Sequence, residues 1–327
     1  MKRGDKMKLF DLHCDTAGEC LNRKQPLYDG DLHINLCKGE LLDKWCQLFA
    51  IWIPDELIGG AAEEYFEKVF LNFKNEISKN KSKIKLCNGF EDLQSAVKEN
   101  KCAAILTVEC ASPFADSDGI YRAKEHGVKV VTLTWNGENE LGFGCQSGSD
   151  SGLKPLGKQL LKDMERLNIV ADVSHLNRAG FYDAVSSGAR VVATHSNSES
   201  VLLKTRTDSE DKFFSCRRNL DDEQIKLLVE SESLIGINFC RSFLGDFGDD
   251  GFEAVYRHMA HVLDLGGENV LSIGSDFDGC EINPELSGID KIPVLQEFLH
   301  KKGFGEELIE KIFYKNAYNF FKKVLQS

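Results

Sequence analysis

The chain has 327 residues, with 40 Lys and Arg against 52 Asp and Glu and a formal net charge of −12. Hydrophobic residues make up 42% and charged residues 28%, the balance of a globular protein with core enough to need no disulfide, and one that excludes collagen-like, coiled-coil and disordered classes. The acidic excess leaves no basic stripe for a phosphate backbone, which argues against a nucleic-acid partner.

In chain order, eight short, β-branched and nearly continuous apolar runs read as strands buried on both faces: 8–15, 46–53, 103–109, 128–135, 169–175, 191–195, 234–240 and 270–276. Amphipathic helical patterns lie between most of them. Segment 61–78 carries Tyr65, Phe66, Val69, Phe70 and Phe73 at helical spacing, and 156–167, 221–231 and 252–265 are similar. Asp221 reads as an N-cap ahead of Gln224, and Gly266-Gly267 as a C-terminal stop. Strands alternating with helices imply parallel βαβ units, and eight of them predict an α/β fold, a closed (β/α)8 TIM barrel. No Gly-x-Gly-x-x-Gly follows the first strand, as an open doubly wound sheet would favour. Segment 294–325 predicts a C-terminal helical extension packed on the barrel. With no repeat, low-complexity tract or linker, residues 1–327 read as one domain.

The titratable residues fall at the carboxyl ends of these strands, which in a barrel form the rim that carries chemistry. His13 and Asp15 share a face because side chains two apart on a strand point the same way. That parity turns Cys14 away, as a small buried hydrophobe. Glu109, His175 and His195 end three further strands, and Asp276 ends the eighth. Packing gives no reason to set so many polar groups on one rim. Imidazole and carboxylate together suit zinc, and manganese, cobalt or iron less well. Asp276 has two readings, a cap for the following turn or a general base beside a metal-bound water. Asp278 reads as a turn residue.

Other segments carry less. His258 and His261, three apart on a helix, read as a solvated face rather than a ligand pair. Segment 142–152 is Gly/Ser-rich without the Gly-Lys-Ser/Thr of a P-loop and reads as a mobile loop. Segment 246–251 starts like a calcium loop, but its twelfth position is Arg257 where Glu belongs, so it reads as a plain loop. The 11 cysteines are odd in number and form no Cys-x-x-Cys pair. Together with an N-terminus that lacks a signal-peptide core, they predict a reducing, cytoplasmic location. No run reaches the ~18 apolar residues of a membrane span, so no membrane partner is expected.

The motifs Asp11-Leu12-His13-Cys14-Asp15, Thr107-Val108-Glu109, Val173-Ser174-His175, Thr194-His195-Ser196, Arg217-Arg218-Asn219 and Gly274-Ser275-Asp276-Phe277-Asp278-Gly279 occur in this order. The set resembles the membrane (renal-type) dipeptidase family of zinc peptidases, within the amidohydrolase-like hydrolases, from residue 11 to about residue 325. The resemblance implies two Zn2+ ions, one bound by His13 and Asp15, the second by His175 and His195, with Glu109 bridging them. It implies that Arg218 holds the free carboxylate of a small dipeptide substrate. Asp276 would orient the bridging hydroxide, take its proton and pass it to the departing amine. It also favours a homodimer. One departure stands out: where animal members carry a His thought to help hold the substrate and the tetrahedral intermediate, this chain has Trp135, which donates one hydrogen bond and cannot titrate. The expected function is a zinc-dependent dipeptidase. The alternatives are a sibling metal-dependent hydrolase of an N-acyl amino acid or a lactone, and a catalytically inactive binding barrel.

Overall fold

A computed structural model describes residues 7–205, 217–245 and 250–326. Its strands are β1 (Lys8–Asp11), β2 (Lys44–Trp52), β3 (Ile84–Leu86), β4 (Cys102–Glu109), β5 (Val130–Thr132), β6 (Val170–Asp172), β7 (Val191–Val192), β8 (Ile235–Ile237) and β9 (Leu271–Ile273). All pairings between them are parallel, in the order β7-β6-β5-β4-β2-β1-β9-β8, with β3 added on β4. The ring closes between its two ends. Ala193 bridges Ile235, and the Gly236 N–H donates to the Ala193 carbonyl at 2.8 Å. The eight-stranded α/β barrel expected from the alternation is therefore present, and the short β3 is an addition that the apolar pattern missed. Every residue of β4 is buried, as a strand flanked by side chains on both faces must be.

Two packed layers hold the barrel. Phe10, Leu12, Cys46, Leu48, Ala103, Ile105, Val130, Val170 and Val192 form one apolar cluster with Tyr314, Ala317, Phe321 and Val324 of the C-terminal helix. Phe10 and Phe321 stack with their ring centroids 5.2 Å apart. The extension begins with the helix Ile292–Lys301. It then runs from Glu306 to Gln326 as one rod, with a π-helical turn at Lys311–Lys315. Asn316 donates to the Leu271 carbonyl and Asn168 donates to that of Val324, which ties the rod across the amino ends of β9 and β6. The plug closes that end and leaves the carboxyl ends open for chemistry. The second cluster lies between strands and outer helices. It takes Phe66, Val69, Phe70 and Phe73 from the helix Gly59–Lys79, and Leu160, Leu161 and Met164 from Pro155–Leu167.

Local signals in the sequence act as expected. Asp221 caps the helix Asp222–Glu230 in a full capping box with Gln224, and Gly266 turns left-handed at φ +90 after the helix Gly251–Asp264. Some expectations need correction. Segment 142–152 is a loop but a pinned one: Cys145 donates to the His175 carbonyl, and Asn177 donates to the carbonyls of Phe143, Ser149 and Ser151. His258 lies on no solvated face. It is fully buried, accepts from the Ser198 N–H through Nδ1 and donates to the Leu244 carbonyl through Nε2. Helix Gly251–Asp264 carries it inward to bind two loops. His261 does reach the surface, where it pairs with Asp222 at 2.8 Å. Of segment 246–251, residues 246–249 lie outside the described residues, and Asp250 caps that same helix. Among the described residues no helix is long and apolar enough to cross a membrane.

Candidate metal centre

Most of the regular strands stop short of the groups they present. β1 ends at Asp11, two residues before His13. β6 ends at Asp172, three before His175, and β9 ends at Ile273, three before Asp276. At these three ends the expected strands therefore run three or four residues too long, whereas the expected strand 103–109 ends with β4 at Glu109. The reason is steric. Phe10 and Leu12 face the barrel interior, so unbroken alternation would carry His13 outward with Leu9. The chain leaves β geometry instead, and His175 (φ +68) and Asp276 (φ +60) take left-handed conformations that swing their side chains inward. His13 and Asp15 still share a side. Cys14 is turned away, its thiol donating to the Leu48 carbonyl.

Glu109, at the end of β4, is the hub. Its Oε2 lies 3.3 Å from His13 Nε2, while its Oε1 lies 2.7 Å from His175 Nε2 and 3.6 Å from His195 Nε2. Asp15 Oδ2 stands 3.5 Å from His13 Nε2, and the His13 and His195 rings stack at 3.7 Å. All five residues are buried. The tautomers follow from their partners. His175 Nδ1 faces the carbonyl oxygen of the Asn136 side chain at 2.8 Å, an acceptor only, so Nδ1 carries the proton. The Thr194 hydroxyl donates to Asp172 at 2.5 Å, so its oxygen accepts from His195 Nδ1 at 2.7 Å. Both Nε2 lone pairs are thereby turned toward Glu109 and, 3.0 Å apart, toward each other.

That arrangement tests whether a metal fits. The Arg218 NH2 group donates to His175 Nε2, but no donor meets the His195 Nε2 lone pair, and the two lone pairs repel unless a cation lies between them. His13 Nε2 and Asp15 Oδ1 are buried without a hydrogen-bond partner. Nδ1 protons donated to Asn136 and Thr194 are the usual outer support of ligating histidines. The donor set suits divalent ions: His13 and Asp15 could hold one, His175 and His195 another, with one Glu109 oxygen toward each.

The protonation pattern is that of mutually dependent charges. Burial would raise Glu109, but the His13 and His175 imidazoles beside it hold its carboxyl well below the usual range. Burial would lower His13, yet Glu109 and Asp15 keep it well above its ordinary value. Burial and the Glu109 charge push Asp15 up to about 7. His175 is lowered by burial and by Arg218, and His195 is lowered further by burial, His13 and Arg218.

Around this hub the remaining expected residues assemble. Asp276 Oδ1 lies 3.9 Å from His13 Nε2, and its Oδ2 accepts from Asn238 at 2.9 Å. Arg218 is buried. Its NH2 donates to His175 Nε2 at 3.0 Å and to the His195 carbonyl at 2.9 Å, its NH1 donates to Ser196, and its Nε has no partner. The Trp135 ring centroid is 6.3 Å from that of His175 and meets Trp52 edge-on at 5.0 Å. Trp135 thus stands at the rim and not in the helical layer. Asp278 braces two loops, accepting from Thr16 Oγ1 at 2.6 Å and from the His33 N–H at 2.7 Å. Asn136, Thr194, Asp172, Asn238 and Trp52 escaped the sequence reading. Only the neighbour positions of Asn136 and Thr194, beside Trp135 and His195, hinted at them.

A family model described as membrane dipeptidase (peptidase family M19) matches residues 4–327. A metallo peptidase from Rhodobacter sphaeroides, solved with a phosphinate mimic of the dipeptide L-Ala-D-Ala, is 25% identical, with a TM-score of 0.86 over 98% of this chain and 100% of that one. A family M19 metallo peptidase described as dipeptidase AC is 26% identical, with a TM-score of 0.87 over 99% of this chain and 100% of that one. An uncharacterized protein of the pqqA 5′ region of Klebsiella pneumoniae is 27% identical over 268 residues, covering 77% of this chain and 93% of that protein.

Proposed function

We propose, for a chain that belongs to the membrane dipeptidase family (peptidase family M19) and is a metallohydrolase, that it splits dipeptides with two zinc ions shared across Glu109. The observation that carries this reading is the pair of Glu109 oxygens, one facing His13 and the other facing His175 and His195, whose Nε2 lone pairs point inward. Ions held by these donors would lower the pKa of water enough to supply a nucleophile at neutral pH and would polarise the scissile carbonyl. The rest of the chemistry belongs to side chains. Asp276, its Oδ2 fixed by Asn238, keeps Oδ1 free to take a proton from the attacking water and pass it to the departing amine. Arg218, whose Nε has no partner while both NH2 hydrogens are engaged, would offer that N–H and its charge to the free carboxylate of the substrate. Trp52 and Trp135 meet edge-on beside His175 and bring ring N–H donors to this rim but no titrating group. The ten described cysteines, all free thiols, support a reducing, cytoplasmic location.

The experiment pairs metal content with a substrate panel. Protein stripped to a verified metal-free state should hydrolyse no dipeptide, and added zinc should restore the rate. Undiminished turnover without metal refutes the two-ion mechanism. Arg218→Met should cost roughly 10–150-fold in kcat/KM, the value of a buried charge-assisted contact. Equal rates on a dipeptide and its C-terminal amide would remove Arg218 from the substrate site. Because Trp135 stands where the resemblance places a histidine in animal members, N-acyl amino acids and lactones belong in the panel. Faster turnover of these than of any dipeptide would make the protein a sibling hydrolase.

A further inference from the structure

A second group of donor atoms sits on the rim beside the Glu109 centre. Cys240 Sγ, Cys280 Sγ and a carboxylate oxygen of Asp276 all lie within 4.8 Å of one another. The two thiols come from different segments, one after β8 and one after β9, and the backbone ties those segments together. Cys240 pairs with Ile282 as an antiparallel bridge, and the Arg241 N–H donates to the Glu281 carbonyl at 3.0 Å. On one side Asn238 fixes the Cys240 backbone, accepting from its N–H at 2.6 Å, while it holds Asp276 with its amide. On the other, Gly279 allows the turn to pass against the site. A Cβ there would stand 2.0 Å from Asp15 Oδ2 and 2.5 Å from Asp276 Oδ1. Cys240 is buried and Cys280 half-buried, and both are free thiols. Neither takes part in the hydrolysis described above.

We propose that Cys240, Cys280 and Asp276 form a third cation site, selective for a single soft, thiophilic ion. Two thiolates prefer soft ions, whereas the imidazoles and carboxylates around Glu109 suit zinc and harder ones. A tetrahedral ion with sulfur bonds of about 2.3 Å needs its sulfurs roughly 3.8 Å apart. The donor atoms already lie within 4.8 Å of one another, so small side-chain rotations reach that separation. On binding, two S–H bonds give way to two S–metal bonds and both protons leave to solvent. An ion here takes Asp276 as its oxygen ligand and so draws it from His13. If the proposed hydrolysis is right, such an ion inhibits it.

The test titrates the holoenzyme, kept reduced by a phosphine, with Cd2+ as the probe. The readout is the thiolate-to-cadmium absorption band, with stoichiometry by elemental analysis. One cadmium per chain beyond the ions already bound should saturate the band. Cys240→Ser and Cys280→Ser should each weaken the affinity by more than the roughly 10–100-fold that loss of an outer-shell partner costs, and the double variant should show no band. The double variant should also keep its dipeptide turnover in cadmium where the unaltered protein loses it. Absence of a band in the unaltered protein overturns the proposal, and so does an equal band in the double variant. So does inhibition without a band, the signature of cadmium exchanging into the Glu109 centre. A saturable band in a protein that splits no dipeptide would keep this site and overturn the dipeptidase reading instead.

Discussion

Thr194→Val tests the internal logic of the metal centre without touching a ligand. Valine keeps the shape and removes one oxygen, and that oxygen accepts from His195 Nδ1 at 2.7 Å while its proton goes to Asp172 at 2.5 Å. Asp172 tolerates the loss, because Thr132 Oγ1 and the N–H groups of Ser174 and Thr194 still donate to it. His195 does not. Its ring is fully buried, so an Nδ1 proton left without an acceptor costs about 1–3 kcal/mol. The ring avoids that cost by moving the proton to Nε2, which removes the lone pair an ion would use. Either way the expense falls on ion binding, and it matches the roughly 10–100-fold, or about 1.4–2.8 kcal/mol, typical of an outer-shell partner. Competition against a chromophoric chelator would measure zinc affinity, with kcat at saturating zinc as the control. Affinity should drop by that factor while saturated kcat changes little. Zinc affinity within about twofold of the unaltered protein would refute the tautomer argument and leave Thr194 as packing.

Asp276→Asn should retain its metal and lose roughly 10²–10⁴-fold in kcat, the share of general acid–base catalysis, and a fully active variant would end the assigned role. Burial lowers the His258 pKa to about 4 against an ordinary 6.5. The unfolded chain therefore takes up a proton that the folded one refuses. Stability is full above pH ~6.5 and falls as pH drops toward 4, by about 3 kcal/mol for the difference between those values. Denaturant melts of the unaltered protein and His258→Asn at pH 7 and 4.5 should show a flatter dependence in the variant. Parallel curves would refute the buried-neutral assignment. Trp135→His should reorder kcat/KM across small and bulky dipeptides without changing metal content, and an unchanged ranking would make Trp135 core packing.

Much of the site was legible because a barrel converts chain order into spatial order. Once the eight apolar runs were recognised, His13, Glu109, His175, His195 and Asp276 had to meet on one rim. Less legible was how they meet. The apolar runs continue past the last ladder hydrogen bond, so strand ends were read too far, and simple alternation would have faced His13 the wrong way. Asn136, Thr194 and Asn238 were invisible for another reason. Their partners are set by the register of neighbouring strands and by the loops beyond them, and no spacing along one segment encodes that. His258 shows the same limit in reverse. Its helix pattern carries no mark of the Ser198 and Leu244 groups that make a buried imidazole acceptable.

The left-handed residues at the rim have an evolutionary consequence. His175, Asp276 and Asp278 all hold positive φ just beyond strand ends. Among residues with a side chain, Asn, Asp and His are the types enriched in that conformation. At these turns the residues that accept the backbone are also ones that bind ions and carry protons, so a single short vocabulary serves both demands. Glutamate in place of Asp276 would keep the carboxylate and forfeit the tolerance for positive φ; glycine would keep the turn and forfeit the chemistry. Drift at those positions is closed off from two directions. New substrate preferences in such a barrel must therefore arise at neighbours whose backbone is ordinary, and Trp135 occupies such a place.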